Sequence, residues 1–177
     1  MNSDKYKIRK WAKEDFSALA KHLNNKKIWD NCRDGLPYPY TEDNAQQFIS
    51  LVLSQKEQNN FCIEINGEAA GNISFDRGTD IERYNAELGY WLAEPYWGRG
   101  IATQMLSQAV SSYFRQTDVV RICANVYAGN KASMRVLEKI GFRKSGILRK
   151  AFYKNGAFID CHSFELLKEE FTDLNKK

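Results

Sequence analysis

The chain has 177 residues, of which 43% are hydrophobic and 27% are charged, a composition typical of a folded domain and unlike that of a disordered chain. The formal net charge of +4 is too small to predict a nucleic-acid-binding surface, but it is compatible with an anionic ligand. No apolar run approaches the roughly 18 residues of a membrane-spanning helix, and the polar first residues do not resemble a secretory leader. We therefore expect a single cytoplasmic domain over residues 1–177, without membrane or nucleic-acid partners.

The cysteines are spaced too widely to form a Cys-x-x-Cys motif. Metal sites in small domains usually contain closely spaced pairs of this kind. Reduced and partly buried cysteines are typical of a protein that folds in a reducing compartment. We therefore expect free thiols and no metal site. The four residues are Cys32, Cys62, Cys123 and Cys161.

The first half of the chain predicts a strand, two helices and then three consecutive strands. Asn24 and Asn25 should break the first helix, and Thr41 is typical of a helix N-cap. Asn66-Gly67 lies between two alternating runs and predicts a hairpin turn. The predicted elements are a strand over 5–11, a helix over 15–23, a loop over 30–40, a helix over 42–58 and strands over 61–65, 69–75 and 84–92.

The stretch over residues 87–103 combines a strand, a glycine turn and the start of a helix. Pro95 cannot donate a ladder hydrogen bond, so the strand should end before it. Gly98 and Gly100 let backbone amides approach a ligand, and a helical apolar period begins at Ile101. Such a turn at a helix N-terminus suits a phosphate or pyrophosphate. An ordinary strand–turn–helix connection fits the same residues, because the third glycine of the dinucleotide fingerprint is missing.

After the central helix the sequence predicts a strand, a helix and a final hairpin. A short crossover should place the first of these strands beside the strand that precedes the helix. Asn130 is predicted to cap the following helix, and Gly141 with Phe142 to end it. Mixed strands with covering helices indicate an α+β, or mixed α/β, fold with one sheet. The predicted elements are a strand over 119–126, a helix over 131–140 and strands over 143–153 and 158–167.

Three groups of residues resemble the GNAT acetyltransferase superfamily and, within it, the RimJ/RimL-type branch of ribosomal-protein N-acetyltransferases. Residues 89–92 and 97–102, Gly-Tyr-Trp-Leu and Trp-Gly-Arg-Gly-Ile-Ala, resemble its acetyl-CoA motif. Residues 130–133 and 137–142 resemble its Asn-x-x-Ser and Glu-Lys-x-Gly-Phe motifs, and residues 36–41 resemble its Pro-x-Pro-Tyr-Thr stretch. The likeness spans nearly the whole chain. It implies the GNAT fold, which is a largely antiparallel sheet with a splayed central parallel strand pair and helices on both faces.

The resemblance implies an N-acetyltransferase that moves the acetyl group of acetyl-CoA directly to a primary amine. One candidate acceptor is the N-terminal α-amino group of a protein or peptide, and another is a small amine such as a polyamine or an aminoglycoside. A non-catalytic acyl-CoA sensor and a nucleotide-binding protein of another fold are the two further hypotheses. The expected partner is thus an amine substrate, and the chain is expected to be a monomer or a homodimer.

Backbone groups around the glycine turn would hold the cofactor, according to the resemblance. The amides of 99–103 would bind the pyrophosphate, which agrees with the helix-terminus chemistry. Free edge groups of Leu92 and Ala93 would pair with the pantetheine arm, and an amide near Leu92 would stabilise the oxyanion. The complete set of expected cofactor-binding residues is Leu92, Ala93, Trp97, Gly98, Arg99, Gly100, Ile101, Ala102, Thr103, Asn130 and Ser133.

Glu87 and Ser133 are the candidate catalytic residues. The branch often carries an acid at the position of Glu87, which makes it the candidate base for the amine, although it also fits an exposed strand carboxylate or an ion-pair partner. The resemblance places Ser133 near the coenzyme sulfur, as an acid or a positioning group, whereas its place in a first helical turn also suits a local backbone hydrogen bond. His162 is expected to be a hydrogen-bonded strand residue rather than a base.

Overall fold

The computed structural model of the protein describes residues 5–171. Within that range the chain forms seven strands and five α-helices, with short 3₁₀ helices at Lys13–Asp15, Asp80–Glu82 and Glu94–Tyr96. The strands form one sheet in the order β1-β2-β3-β4-β5-β7-β6. The elements are β1 (Tyr6–Arg9), α1 (Phe16–Leu23), α2 (Lys26–Trp29), α3 (Glu42–Ser54), β2 (Asn60–Ile65), β3 (Glu68–Arg77), β4 (Asn85–Leu92), α4 (Ile101–Gln116), β5 (Arg121–Tyr127), α5 (Lys131–Lys139), β6 (Arg143–Lys154) and β7 (Ala157–Leu167).

The pairing of the strands confirms the predicted α+β fold. β1 with β2, β2 with β3, β5 with β7 and β6 with β7 are antiparallel. β4 and β5 are parallel, and α4 connects them, as the crossover prediction required. The hairpin turn at Asn66-Gly67 is also confirmed, because both residues have a positive φ, 53° and 89°, and Ile65 pairs with Glu68 across the turn.

A one-turn helix that the sequence analysis missed follows α1 directly. The Asn25 side chain accepts hydrogen bonds from the amides of Lys27 and Ile28 and so caps the start of α2. Asn24 ends α1 as predicted. The predicted break at Asn24 and Asn25 is confirmed, and the cap at Asn25 has the same cause, because a side-chain oxygen that disfavours a helix interior is a good N-cap.

The predicted end of the third helix is wrong. α3 ends at Ser54, four residues before the expected end at residue 58, and Gln55 is already extended. No apolar residue occurs between residues 54 and 60. Further helical turns would therefore bury no additional apolar surface, and tertiary packing supplies most of the stability of a helix.

The described chain packs as two compact units, and the first consists of residues up to Ser74 together with Tyr90–Ile101. Its core collects apolar side chains from the first three helices and from β2, whose removal from water stabilises the fold. The Trp11 indole nitrogen donates to Asn72 Oδ1 at 2.9 Å, so this buried polar atom is satisfied. The larger core residues are Trp11, Leu19, Leu23, Ile28, Tyr40, Ile49, Val52 and Cys62.

The second unit comprises Phe75–Gly89 and the chain from Ala102 onward. Its buried side chains alternate along β5 and recur at helical spacing in α4 and α5, as the periods of a strand and of a helix predict. The rings of Phe75 and Tyr113 stack with centroids 4.0 Å apart and an interplanar angle of 7°. Other large buried residues of this unit are Met105, Leu106, Val110, Phe114, Ile122, Leu137, Phe164 and Leu166.

The end of α5 has the predicted glycine cap. Gly141 has a φ of 98°, and its amide donates to the Glu138 carbonyl at 3.1 Å. The amide of Phe142 donates to the Leu137 carbonyl at 3.0 Å. This pair of hydrogen bonds is the Schellman motif, in which the glycine takes the left-handed conformation. The Phe142 side chain is buried, which provides the expected hydrophobic contact.

The four cysteines are free thiols, with Cys62 and Cys161 buried and Cys32 and Cys123 half-buried. Within residues 5–171 no group of three or more His, Cys, Asp or Glu side chains is arranged to hold a metal ion. Over the same residues, no helix combines the length and the apolar character that crossing a bilayer demands.

Candidate active site

The turn before α4 has the conformation that the sequence predicts. Pro95 lies in the 3₁₀ helix directly after β4. Gly98 and Gly100 have φ angles of 74° and 77°, a left-handed conformation that suits glycine. α4 begins at Ile101, so the amides of its first turn have no acceptor within the helix. Together with the positive end of the helix dipole, these amides suit an anion.

The surface over the two glycines is open. A Cβ atom at either Gly98 or Gly100 would meet no protein atom within 4 Å, and both residues are exposed, as is Arg99. Ile101 is buried and anchors the helix start, whereas Ala102 and Thr103 are half-buried. The backbone of this turn is therefore accessible to a diphosphate, which is the group that the expected cofactor carries.

The backbone groups at the end of β4 are partly engaged within the chain. The Trp97 indole nitrogen donates to the Leu92 carbonyl at 2.6 Å, and the Ala93 amide donates to the Ala70 carbonyl at 2.7 Å. The expectation that the edge groups of both residues are free is therefore wrong for the Ala93 amide, and the Leu92 carbonyl already accepts one hydrogen bond. The 3₁₀ turn brings the Trp97 side chain back to the end of the strand, whereas the acceptor of the Ala93 amide lies on β3.

The backbones of β3 and β4 approach each other closely at Gly71. A Cβ atom on this residue would lie 2.7 Å from the carbonyl oxygen of Trp91 and 3.1 Å from the Ile63 side chain. The first distance is shorter than any tolerable contact with a backbone atom. The absence of a side chain at position 71 therefore permits the Trp91 carbonyl to lie where it does.

Asn25 and Lys27 hold the 3₁₀ turn from the start of α2. Asn25 Nδ2 donates to Glu94 Oε2 at 2.7 Å, and Lys27 Nζ forms an ion pair with the same carboxylate. Hydrogen bonds from Lys27 and Asn25 lower the pKa of Glu94. The sequence analysis missed this contact, because the partners lie 69 and 67 residues apart and no local pattern connects them.

In the second unit, β4 and β5 are paired over three residue pairs. Asn85–Glu87 lie opposite Arg121–Cys123. β5 continues to Tyr127 and is paired along its whole length with β7. The short parallel ladder is the splayed strand pair that the sequence analysis predicted, and Glu87 lies at its last pair.

The Glu87 carboxylate is half-buried and belongs to a small polar cluster. Its Oε1 accepts a hydrogen bond from Asn125 Nδ2 at 3.3 Å. Asn125 Oδ1 in turn accepts from the Ser163 hydroxyl at 2.8 Å and from the Cys161 thiol at 3.4 Å. Burial raises the pKa of Cys161, and the charge of Glu87 adds to that shift, so the thiol stays protonated and donates. Burial also raises the pKa of Cys123.

Asn130 caps α5 as predicted, because its Oδ1 accepts from the Ser133 amide at 3.1 Å. Ser133 is half-buried in the first turn of the helix, and the local backbone hydrogen bond expected of its hydroxyl stays a prediction. The roles of both residues toward the cofactor stay predictions.

His162 differs from the expectation of a hydrogen-bonded strand residue. Its Nδ1 is buried and has no hydrogen-bond partner among the residues that the structure describes. Burial lowers the pKa of His162, and the charges of Lys144 and Lys131 lower it further. The ring is therefore neutral near pH 7 and carries no charge for an anionic ligand.

Comparison with known proteins identifies the family of the chain that carries the glycine turn and the Glu87 carboxylate. Residues 6–143 match the model of the acetyltransferase (GNAT) domain. The chain belongs to the GNAT acetyltransferase family. This GNAT chain is 32% identical, over 140 residues, to the SPbeta prophage-derived uncharacterized N-acetyltransferase YokL of Bacillus subtilis (strain 168), with 78% of this chain and 77% of that protein covered. It is also 32% identical over 104 residues to the ribosomal-protein-serine acetyltransferase of Escherichia coli (strain K12), with 59% and 58% covered.

Solved structures of GNAT proteins share the fold. Mycobacterium smegmatis RimJ in complex with CoA-disulfide has a TM-score of 0.83 at 24% identity and covers 93% of this chain and 83% of its own. RimL, the ribosomal L7/L12 alpha-N-protein acetyltransferase in complex with coenzyme A, has a TM-score of 0.80 at 24% identity, with 92% and 93% covered. These structures confirm the predicted GNAT fold, and the match to the acetyltransferase (GNAT) domain confirms the predicted acetyltransferase class.

We expect Gly100→Val to raise the KM of this GNAT domain for acetyl-CoA about tenfold or more, because valine is strained in a left-handed conformation and its methyl groups would cover the open turn. Steady-state kinetics and a calorimetric titration with CoA measure the effect. Gly67→Val is the matched control, since Gly67 also has a positive φ, 89°, and equally open surroundings, but lies in the β2–β3 hairpin turn. An unchanged KM in Gly100→Val would contradict the assignment of the turn to the pyrophosphate.

Proposed function

We propose that this acetyltransferase moves the acetyl group of acetyl-CoA directly to the free α-amino group of a protein or peptide. The turn over residues 98–103 binds the pyrophosphate through its amides, and backbone groups at Leu92 and Ala93 that remain available bind the pantetheine arm. Trp97 contributes by bracing the end of β4 rather than by its amide, which donates to the Glu94 carbonyl at 3.1 Å.

The observation that carries this proposal is the carboxylate of Glu87 at the last pair of the parallel ladder, where β4 and β5 cease to pair. A base in that position can take the proton that an amine must lose, directly or through water. An α-amine with a pKa near 8 is about one-tenth neutral at pH 7, whereas a lysine amine with a pKa near 10.4 is neutral in fewer than about one molecule in a thousand. A carboxylate base can therefore deprotonate an α-amine more easily than it can deprotonate a lysine amine.

Three further residues complete the proposed chemistry. An amide near Leu92 donates to the oxyanion as the amine attacks the thioester. Ser133, held in the first turn of α5 beside the Asn130 cap, positions or protonates the departing sulfur, and Asn130 also contacts the pantetheine arm.

The relatives support an α-amine as the acceptor. One similar protein is named a ribosomal-protein-serine acetyltransferase, and one structural neighbour is named an alpha-N-protein acetyltransferase of ribosomal L7/L12. Those names describe the substrates of those proteins. They favour, for this chain, an exposed protein N-terminus as the acceptor and the cytoplasm as the place of reaction.

CoA release with a matched panel of acceptors tests the proposal. The panel contains peptides that begin with serine or alanine, each with a free and with an acetylated N-terminus and with one internal lysine. Spermidine and an aminoglycoside represent small amines. We expect turnover with the free N-termini and none with the blocked peptides.

Equal turnover of the free and blocked peptides would indicate lysine acetylation and overturn the proposal. Turnover confined to spermidine or the aminoglycoside would establish a small-amine acetyltransferase instead. CoA binding by calorimetry without turnover of any acceptor would favour an acyl-CoA sensor.

A further inference from the structure

We infer that Asn125 and Ser163 are positioning residues that hold the Glu87 carboxylate in the orientation needed to accept a proton. The inference rests on the proposed function, because it presupposes that Glu87 is the base. It adds two residues, on β5 and β7, that carry no motif of their own.

The strand register brings these side chains to one face of the sheet. Asn125 lies opposite Ser163 in the antiparallel β5–β7 ladder, and Cys123, two residues earlier on β5, lies opposite Glu87 in the parallel ladder. Because alternate residues of a strand face the same side, Asn125 lies on the same face as Cys123, one step beyond the last β4–β5 pair. It therefore reaches Glu87 across the point where the parallel pairing ends.

The hydrogen bonds of the Asn125 amide have a fixed direction. Its Oδ1 accepts from two donors on β7, the Ser163 hydroxyl at 2.8 Å and the Cys161 thiol at 3.4 Å. Its Nδ2 is therefore turned toward Glu87 Oε1, 3.3 Å away. The opposite orientation would place the amide oxygen against a carboxylate oxygen, and two acceptors repel each other.

This arrangement occupies one carboxylate oxygen and leaves the other available. Glu87 Oε2 accepts no hydrogen bond from the residues that the structure describes, so it is the oxygen that can accept a proton. The hydrogen bond from Asn125 thus fixes the rotamer of Glu87, and Ser163 acts one step further away by fixing the amide of Asn125.

A double-mutant cycle in the full chain tests the inference. We expect Asn125→Ala to lower kcat about tenfold, with the KM for acetyl-CoA changed by less than about twofold. In the Glu87→Gln background the same substitution should leave kcat unchanged within about twofold, because no base remains to be positioned. Asn125 is exposed, so the variant should fold, which a thermal melt verifies.

Variants of two serines separate positioning from packing. Ser163→Ala should lower kcat about threefold, because the Cys161 donor remains, and Ser163→Thr should restore it by retaining the hydroxyl. Ser145→Ala is the matched control, since the Ser145 hydroxyl donates to the Ser163 backbone carbonyl at 3.3 Å and is not bonded to Asn125.

The outcomes distinguish this inference from the proposed function. An unchanged kcat in Asn125→Ala, or an equal loss with and without the Glu87 carboxylate, would overturn the positioning role alone. An unchanged kcat in Glu87→Gln would overturn the proposed base, and the positioning role with it.

Discussion

Replacement of Glu87 by glutamine is expected to lower kcat by about 10²- to 10³-fold at pH 7, the range in which positioned general bases act. Glutamine preserves the shape of the side chain and can still accept a hydrogen bond from Asn125, but it cannot accept a proton. The KM for acetyl-CoA should change little. The defect should shrink between pH 7 and pH 9, because an α-amine with a pKa near 8 loses its proton to solvent over that range.

Glu165→Gln is the matched control for this substitution. Glu165 lies on β7 opposite Cys123, and its carboxylate forms an ion pair with Arg121 at 2.9 Å in a half-exposed position. Such ion pairs contribute at most about 1 kcal/mol. The control variant should keep kcat within about twofold of the unmodified enzyme. An equal loss in both variants would point to a general effect of charge, and a defect in Glu87→Gln that is independent of pH would exclude a role as base.

Replacement of Phe75 by alanine is expected to be the most destabilising single truncation among those considered, at about 3–5 kcal/mol. The side chain is fully buried, and its ring stacks on Tyr113 at a centroid distance of 4.0 Å. The substitution would leave a cavity and would also remove an aromatic pair worth about 0.5–1.5 kcal/mol beyond its buried area. For a chain of this length the melting temperature should fall by about 6–20 °C.

Phe158→Ala removes the same side chain from a different environment. Phe158 is 66% exposed in the β6–β7 hairpin, and an exposed substitution usually changes stability by no more than about 0.5 kcal/mol. Urea unfolding monitored by circular dichroism measures both variants. A loss below about 1 kcal/mol in Phe75→Ala would mean that the surrounding core closes over the cavity, and it would contradict the prediction.

The elements of this fold could be predicted where a single stretch of sequence carries the whole physical cause. The Gly98 and Gly100 turn, the Asn130 cap and the Gly141 end of α5 depend on backbone angles and on neighbours within a few residues. The parallel placement of β4 and β5 followed from the crossover rule. For these features the local sequence and the final structure agree.

Other features depend on the direction of a side chain or on contacts between distant residues, and no local pattern specifies either. The hydrogen bond from Trp97 to the Leu92 carbonyl depends on the direction in which an indole ring turns. The Asn125–Ser163 contact depends on the register of two strands, 38 residues apart. Because a shift of one residue would send each side chain to the opposite face, neither partner could be chosen before the register was known.

Gly71 narrows the range of sequences that can preserve the end of β4. Even the single methyl group of alanine at this position would collide with the Trp91 carbonyl, and the next peptide carries Leu92, whose carbonyl receives the Trp97 indole. A substitution at position 71 would therefore displace the end of β4 beside the cofactor turn, although no residue of the turn itself would change. A randomised library built to change acceptor preference should hold this codon constant and place its diversity elsewhere.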